Sequence, residues 1–187
     1  FPIEKEAETS KVAPDRCRAY DSDLSRSART RPEFLPERDV MFPESVFPDT
    51  AEINADGHLI IGGCSSLELA EEYGTPVYVL DEQTIRAKCR SFIGEFRKRH
   101  ADTQVNYACK AYINPALTRL LNEEGMGFDV VSGGELATIV NAQAPMDEVY
   151  FHGNNKTPQE LTEALNHSIG WVVVDSFHEL ELLDRLA

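Results

Sequence analysis

The sequence predicts an α/β fold: the first half of a (β/α)8 barrel of TIM type, preceded by a shorter strand–helix segment and by a disordered leader. Three observations carry this. A unit of apolar strand, capped helix and loop recurs along the second half of the chain. The expected strand ends fall near residues 110, 130, 152 and 174, a spacing of about 20–23 that suits βαβ crossovers and a parallel sheet. Helix-start signals, Ser/Thr followed three residues later by Glu, stand after successive strands. Four such units fit either half of a barrel or a small open sheet. Half a barrel leaves two bare parallel edges, an aggregation liability. The last helix also runs to Ala187 without a stop signal. A truncated barrel is therefore the favoured reading.

Residues 1–47 form the expected leader. Positions 1–40 mix nine acidic and eight basic residues with Pro, Ser and Thr and show no sustained apolar periodicity, so they have little with which to build a core. Met41 is the expected natural start. Residues 48–81 are set apart as an N-terminal strand–helix segment and 82–187 are assigned to the partial barrel. Leu59, Ile60 and Ile61 read as a short strand between glycines. Ser65 and Glu68 read as a capping box opening a helix that carries Leu67, Leu69, Ala70 and Tyr73 and stops at Gly74. Val77-Tyr78-Val79-Leu80 reads as a strand. Asp81 then caps a long amphipathic helix with Ile85, Cys89, Phe92, Ile93 and Phe96 on one face. The strand Val105-Asn106-Tyr107-Ala108-Cys109 precedes a helix opened by Asn114-Pro115, with Pro at the first helical position. Strands ending at Val131, His152 and Val174 precede the boxes Ser132/Glu135, Thr157/Glu160 and Ser176/Glu179.

The net charge of −14 argues against nucleic acid or an anionic membrane as the main partner. No apolar run approaches the roughly 18–20 residues needed to span a bilayer. Cys17, Cys64, Cys89 and Cys109 are scattered, without a CxxC pair. Neither a zinc site nor a disulfide framework is expected, and a reducing cytoplasm fits.

Parallel α/β folds place their chemistry at the carboxyl ends of the strands, which singles out Lys110, Asp129, His152 and Asp175. Alternation puts Asn106, Ala108 and Lys110 on one face. If that face points into the barrel, Lys110 stands at its mouth above the small Ala108, where a flat ring could fit. A lysine enclosed there loses hydration, and the neutral amine is the nucleophilic form. The bland reading is a solvated lysine ending a strand. Asp129 would point inward on the neighbouring strand, able to steady a protonated imine or a substrate ammonium, unless it merely caps a helix; Ser132 already fills that role. His152 lines the same rim or is a satisfied structural group. Asp175 reads as a helix-start residue. Gly125-Met126-Gly127 precedes a strand rather than following one, so it is no dinucleotide fingerprint. Gly153-Asn154-Asn155-Lys156-Thr157 lacks full P-loop spacing, and Ser132-Gly133-Gly134 is more simply a turn and cap than an anion site.

Tyr107-Ala108-Cys109-Lys110-Ala111 resembles the cofactor-lysine segment of the fold-type III pyridoxal-phosphate (PLP) decarboxylases, the family acting on ornithine, diaminopimelate and arginine. Gly127-Phe128-Asp129-Val130-Val131-Ser132-Gly133-Gly134-Glu135-Leu136, His152-Gly153-Asn154-Asn155-Lys156-Thr157 and Val174-Asp175-Ser176 resemble further blocks of its diaminopimelate branch, in order. The resemblance covers roughly residues 48–187. It implies an alanine-racemase-like, PLP-binding barrel, with residues 48–81, including the strand at 77–80, contributing to a separate β domain. It also implies decarboxylation of meso-2,6-diaminopimelate at its D-centre to L-lysine and CO2, the last step of lysine biosynthesis. On this resemblance Lys110 holds PLP through its amine, Asp129 lies near that nitrogen, and Ala108 and His152 line the cofactor site. A homodimer is implied, with the phosphate loop, the pyridine-nitrogen partner and a cross-subunit cysteine supplied beyond Ala187, so the isolated chain is expected to be inactive. The competing expectations are a decarboxylase for ornithine, arginine or carboxynorspermidine, and a non-catalytic fragment or PLP-binding relative.

Overall fold

The computed structural model of the chain describes residues 46–187, so the leader expected over 1–47 lies almost wholly outside the described residues. These form two compact units, one ending at Ile85 and the other spanning Arg86–Ala187.

The first unit holds a three-stranded antiparallel sheet of β1 (Glu52–Ile53), β2 (Leu59–Ile61) and β3 (Cys64–Ser65), in that order. Asn54 closes the first hairpin, its side-chain oxygen accepting from the amides of Asp56 and His58 at 3.1 and 2.9 Å. This is the Asx turn that lets a short polar side chain stand in for backbone. Helix α1 (Ser66–Tyr73) follows, but Ser65 makes no side-chain cap bond. The expected box at Ser65 fails because Ser65 is the last residue of β3, paired with Ile60. The expected strand at 77–80 is also corrected: no strand forms there, and Tyr78 is 93% exposed. A strand exists only where a partner takes up its backbone groups, and none does among the described residues.

Asp81 caps α2 (Glu82–Arg97) as expected, accepting from the amides of Gln83 and Thr84 at 3.3 and 3.2 Å. It does more than cap. Thr50 Oγ1 donates to Asp81 Oδ2 at 2.8 Å and accepts from the Gly62 amide at 2.9 Å, tying the hairpin to the helix start. The expected apolar face of α2 is narrower than its residues suggested: Cys89 and Ile93 are buried, whereas Phe92 and Phe96 are more than half exposed.

The second unit is a four-stranded parallel sheet, β4 (Asn106–Ala108), β5 (Gly127–Val130), β6 (Val149–Phe151) and β7 (Trp171–Val172), in sequence order. Helices α3 (Pro115–Glu123), α4 (Gly133–Asn141), α5 (Pro158–Asn166) and α6 (Phe177–Leu186) alternate with the strands. Each helix begins on a side-chain cap, from Asn114, Ser132, Thr157 and Ser176 in turn, and each cap satisfies an otherwise orphaned amide. Only Thr157/Glu160 closes the full reciprocal box. Glu135 and Glu179 instead reach one residue further back, to the amides of Val131 and Asp175. Phe128, Val130, Val149 and Phe151, all fully buried, alternate with Asp129 and Tyr150 along β5 and β6. With Leu121, Leu136, Ile139 and Leu161 they make up the core.

Helices α2 and α3 are joined by charge. Glu124 takes Arg90 through both oxygens, at 2.6 and 2.7 Å, and Arg86 at 2.8 Å. The hydrogen bonds from Arg90 and then Arg86 hold its carboxyl down at about 2, against the usual 4.5. A lowered folded-state value means the stabilisation is complete above 4.5 and is lost as pH falls through about 2. Glu124→Gln is therefore expected to lower the thermal midpoint at pH 7. The gap to the unmodified protein should narrow between pH 4.5 and 2; thermal scans across that range check it, and a pH-independent gap would contradict it.

Candidate active site

Strand register assembles one row across the sheet: Ala108, Asp129, Tyr150 and Trp171 are successive partners. This row lies on the face opposite the buried Phe128, Val130, Val149 and Phe151, because side chains alternate along each strand. Tyr150 and Trp171 stack at 5.7 Å between ring centroids. Ala108 contributes only a methyl group to this row.

Lys110 lies just past β4, in a turn closed by the Ala111 amide on the Ala108 carbonyl at 3.1 Å. The Cys109 amide continues the ladder to the Asp129 carbonyl at 2.9 Å. Backbone pairing thus brings the lysine segment and the aspartate strand together. The enclosure expected around Lys110 is not formed by the described residues, which leave it exposed. The row beside it has no layer above it among those residues.

Asp129 is incompletely satisfied, as is Asn106: the Oδ1 of each is buried and accepts no hydrogen bond. The imidazole Nε2 of His152 stands 3.7 Å from Asp129 Oδ1, beyond hydrogen-bond range. A buried carboxylate oxygen without a donor is costly, and such a group calls for a cationic N–H. His152, whose side chain is about half exposed, follows β6 on the same face. Gly153 follows it with φ +109°, and a Cβ there would approach the Val131 carbonyl oxygen to 3.2 Å. Glycine is what lets the chain leave β6 while His152 stays on the rim. Asp175 precedes the cap Ser176 and gives its amide to Glu179 at 2.9 Å, the helix-start position expected for it. On the helix side, burial, then the charges of Glu135 and Asp129, pushes the Cys109 thiol up to about 12. Cys109 stays a protonated core residue.

Sequence reasoning missed Lys156. It is buried, ion-paired to Glu179 at 2.7 Å, and it donates to the carbonyls of Gly153 and Val173 at 2.5 and 2.9 Å. Its bond to the Gly153 carbonyl holds the backbone next to His152. Its hint in the sequence was slight: a lysine within a loop of small polar residues. Among the described residues no group of three or more side chains is arranged to hold a metal ion, and no helix is long and apolar enough to cross a membrane.

A lysine amine just past one strand and a carboxylate oxygen without a donor on the next are groups that carbonyl-cofactor chemistry employs. The chain belongs to the pyridoxal-dependent decarboxylases, matching the family's pyridoxal-binding domain over residues 82–187. Its four βα units are accordingly those of a TIM-type barrel, and the cofactor of the family is PLP. The diaminopimelate decarboxylase of Bacillus methanolicus is 49% identical over 140 residues, 75% of this chain and 32% of that protein. That of Bacillus subtilis is 50% identical over 137 residues, 73% and 31% of the respective lengths. The crystal structure of diaminopimelate decarboxylase from M. jannaschii in complex with L-lysine superposes with a TM-score of 0.69 at 40% identity. It covers 74% of this chain and 32% of that one. The chain thus spans about a third of the length of the relatives it matches.

Proposed function

We propose that this chain is part of an enzyme that decarboxylates meso-2,6-diaminopimelate to L-lysine and CO2, with Lys110 as the residue that holds PLP. The observation that carries the proposal is the pairing of the Lys110 turn against Asp129, whose Oδ1 is buried without a donor. The residues present fit the cofactor. Lys110 offers an exposed amine, Ala108 puts only a methyl group in the row, and Asp129 supplies an anion where a cationic N–H would stand. Once bound, PLP supplies the electron sink for the pair released as the Cα–carboxylate bond breaks.

Three of the chain's own residues would take part. Lys110 would anchor the cofactor through its Nζ amine. Asp129 Oδ1 accepts from a protonated nitrogen and keeps it protonated, as an opposite charge within a few ångströms does. His152 forms the rim next to Asp129. The substrate is taken from the diaminopimelate decarboxylases that resemble the chain at 49 and 50% identity. The buried thiols Cys89 and Cys109 suit a reducing cytoplasm, and we place the enzyme there as a homodimer.

Borohydride reduction of the protein in the presence of PLP, followed by peptide mass spectrometry, tests the anchor. The expected adduct is on Lys110 and is absent in Lys110→Ala. An adduct of equal yield in Lys110→Ala, or one placed on another lysine, would overturn the assignment. Substrate choice is read separately, from the protein expressed from its full reading frame. L-lysine should appear from meso-diaminopimelate, and ornithine and arginine should be left intact.

A further inference from the structure

The turn that carries Lys110 is tied down by a side chain with no place in the chemistry above. Between β4 and α3 the chain runs from Ala108 to Asn114. The Ala111 amide closes the first turn on the Ala108 carbonyl. The hydroxyl of Tyr107 then reaches across five residues and donates to the Tyr112 carbonyl at 2.8 Å. The Tyr112 hydroxyl accepts from the Asn114 side-chain amide at 3.1 Å, and Asn114 Oδ1 accepts from the Leu117 amide at 2.7 Å, capping α3. A continuous polar path thus joins the end of β4 to the start of α3, and Lys110 sits inside the span it closes. Tyr107 is well placed to anchor this path. It pairs in register with the buried Phe128, on the face opposite Ala108 and Asp129. Burial raises its hydroxyl above the ordinary tyrosine range, so it remains a donor at any working pH.

We propose that Tyr107 is a positioning residue for Lys110: by holding the Tyr112 carbonyl, its hydroxyl fixes the loop 109–113 and keeps the lysine amine at the strand end beside Asp129. This rests on the reading of Lys110 as the PLP-anchoring lysine. A long, exposed side chain reaches a given point efficiently only when its backbone is held, and loose support is what most often weakens such sites.

Tyr107→Phe removes a single hydroxyl and keeps the ring, so the fold has little reason to fail. Two readouts are taken. Amide hydrogen exchange of residues 109–113, measured by NMR without PLP, should quicken about three- to tenfold at Ala111, the range one neutral hydrogen bond commands. Amides of β5 and β6 should stay as they are. The rate of borohydride-trapped PLP on Lys110 should fall by a similar factor. Tyr112→Phe keeps the carbonyl that Tyr107 holds and loses only the Asn114 contact, so its loss of trapping should be clearly smaller than that of Tyr107→Phe. Unchanged exchange at Ala111 in Tyr107→Phe would overturn the proposal, as would undiminished trapping or an equal loss in Tyr112→Phe. If the protein expressed from its full reading frame places no PLP on Lys110, the site reading itself fails and this role falls with it. That result is distinct from a Tyr107→Phe variant that traps normally.

Discussion

Lys156→Met is expected to destabilise the protein by about 3–5 kcal/mol, the cost of breaking a buried ion pair from one side. The Lys156 side chain is 1% exposed and that of Glu179 9%. All three ammonium protons have takers: the Glu179 carboxylate and the carbonyls of Gly153 and Val173. The ammonium also lies 5.9 Å from the centre of the Phe151 ring. Methionine fills the space but leaves Glu179 charged without its partner and strands two carbonyls. A loss of this size is a large share of the 5–15 kcal/mol that holds a typical domain together. The double variant Lys156→Met/Glu179→Gln should recover part of it. A neutral Gln oxygen can still accept from the Asp175 amide, and no buried charge remains. Urea denaturation of the single and double variants decides the matter. A single variant within 1 kcal/mol of the unmodified protein would show that the pair carries little weight.

Lys156 also shows why some of this molecule could be read from its sequence and some could not. Ser132, Thr157 and Ser176 were legible as caps because the signal is local: a hydroxyl three residues ahead of a Glu serves one turn of helix whatever surrounds it. The strand–helix alternation was legible for the same reason, since β4 to β7 carry their period within a few residues. From it followed the row of strand ends and the neighbouring positions of Lys110, Asp129 and His152. The Lys156–Glu179 pair spans 23 positions in the chain, and Glu179 looked fully employed as a helix-start acid. Only the fold shows that one oxygen serves the Asp175 amide and the other the lysine. The errors at Ser65 and at 77–80 have the same origin. A Ser at a helix start was already committed to β3, and an apolar run that looked like a strand found no partner among the described residues. Phe92 and Phe96 had helical spacing, yet the core takes only Cys89 and Ile93 from that stretch.

The other large effect separates the two faces of one strand. Phe128→Ala is expected to cost about 3–5 kcal/mol, because a fully buried ring leaves both its transfer energy and a cavity behind. Phe128 pairs with Tyr107 on one side and Val149 on the other, and with Val130, Val149 and Phe151 it is fully buried. Little around it is free to collapse inward. One residue on and on the opposite face, Asp129→Ala should cost far less stability. The carboxylate it removes has a buried oxygen without a donor, and deleting an unsatisfied polar group can be nearly neutral. Trapping of PLP on Lys110 should move the other way, falling sharply in Asp129→Ala. In Phe128→Ala it should survive at temperatures where the protein stays folded. Urea midpoints and borohydride trapping on the same two variants read both quantities. If Asp129→Ala proves as destabilising as Phe128→Ala, the carboxylate is part of the framework rather than the site. If it is stable and traps PLP as before, Asp129 has no part in holding the cofactor. A stable variant that no longer traps would mean that β5 buries Phe128 for the fold and exposes Asp129 to the chemistry. That split follows from the two-residue period of a strand, and it would place a functional group at some cost to stability, as active sites commonly do.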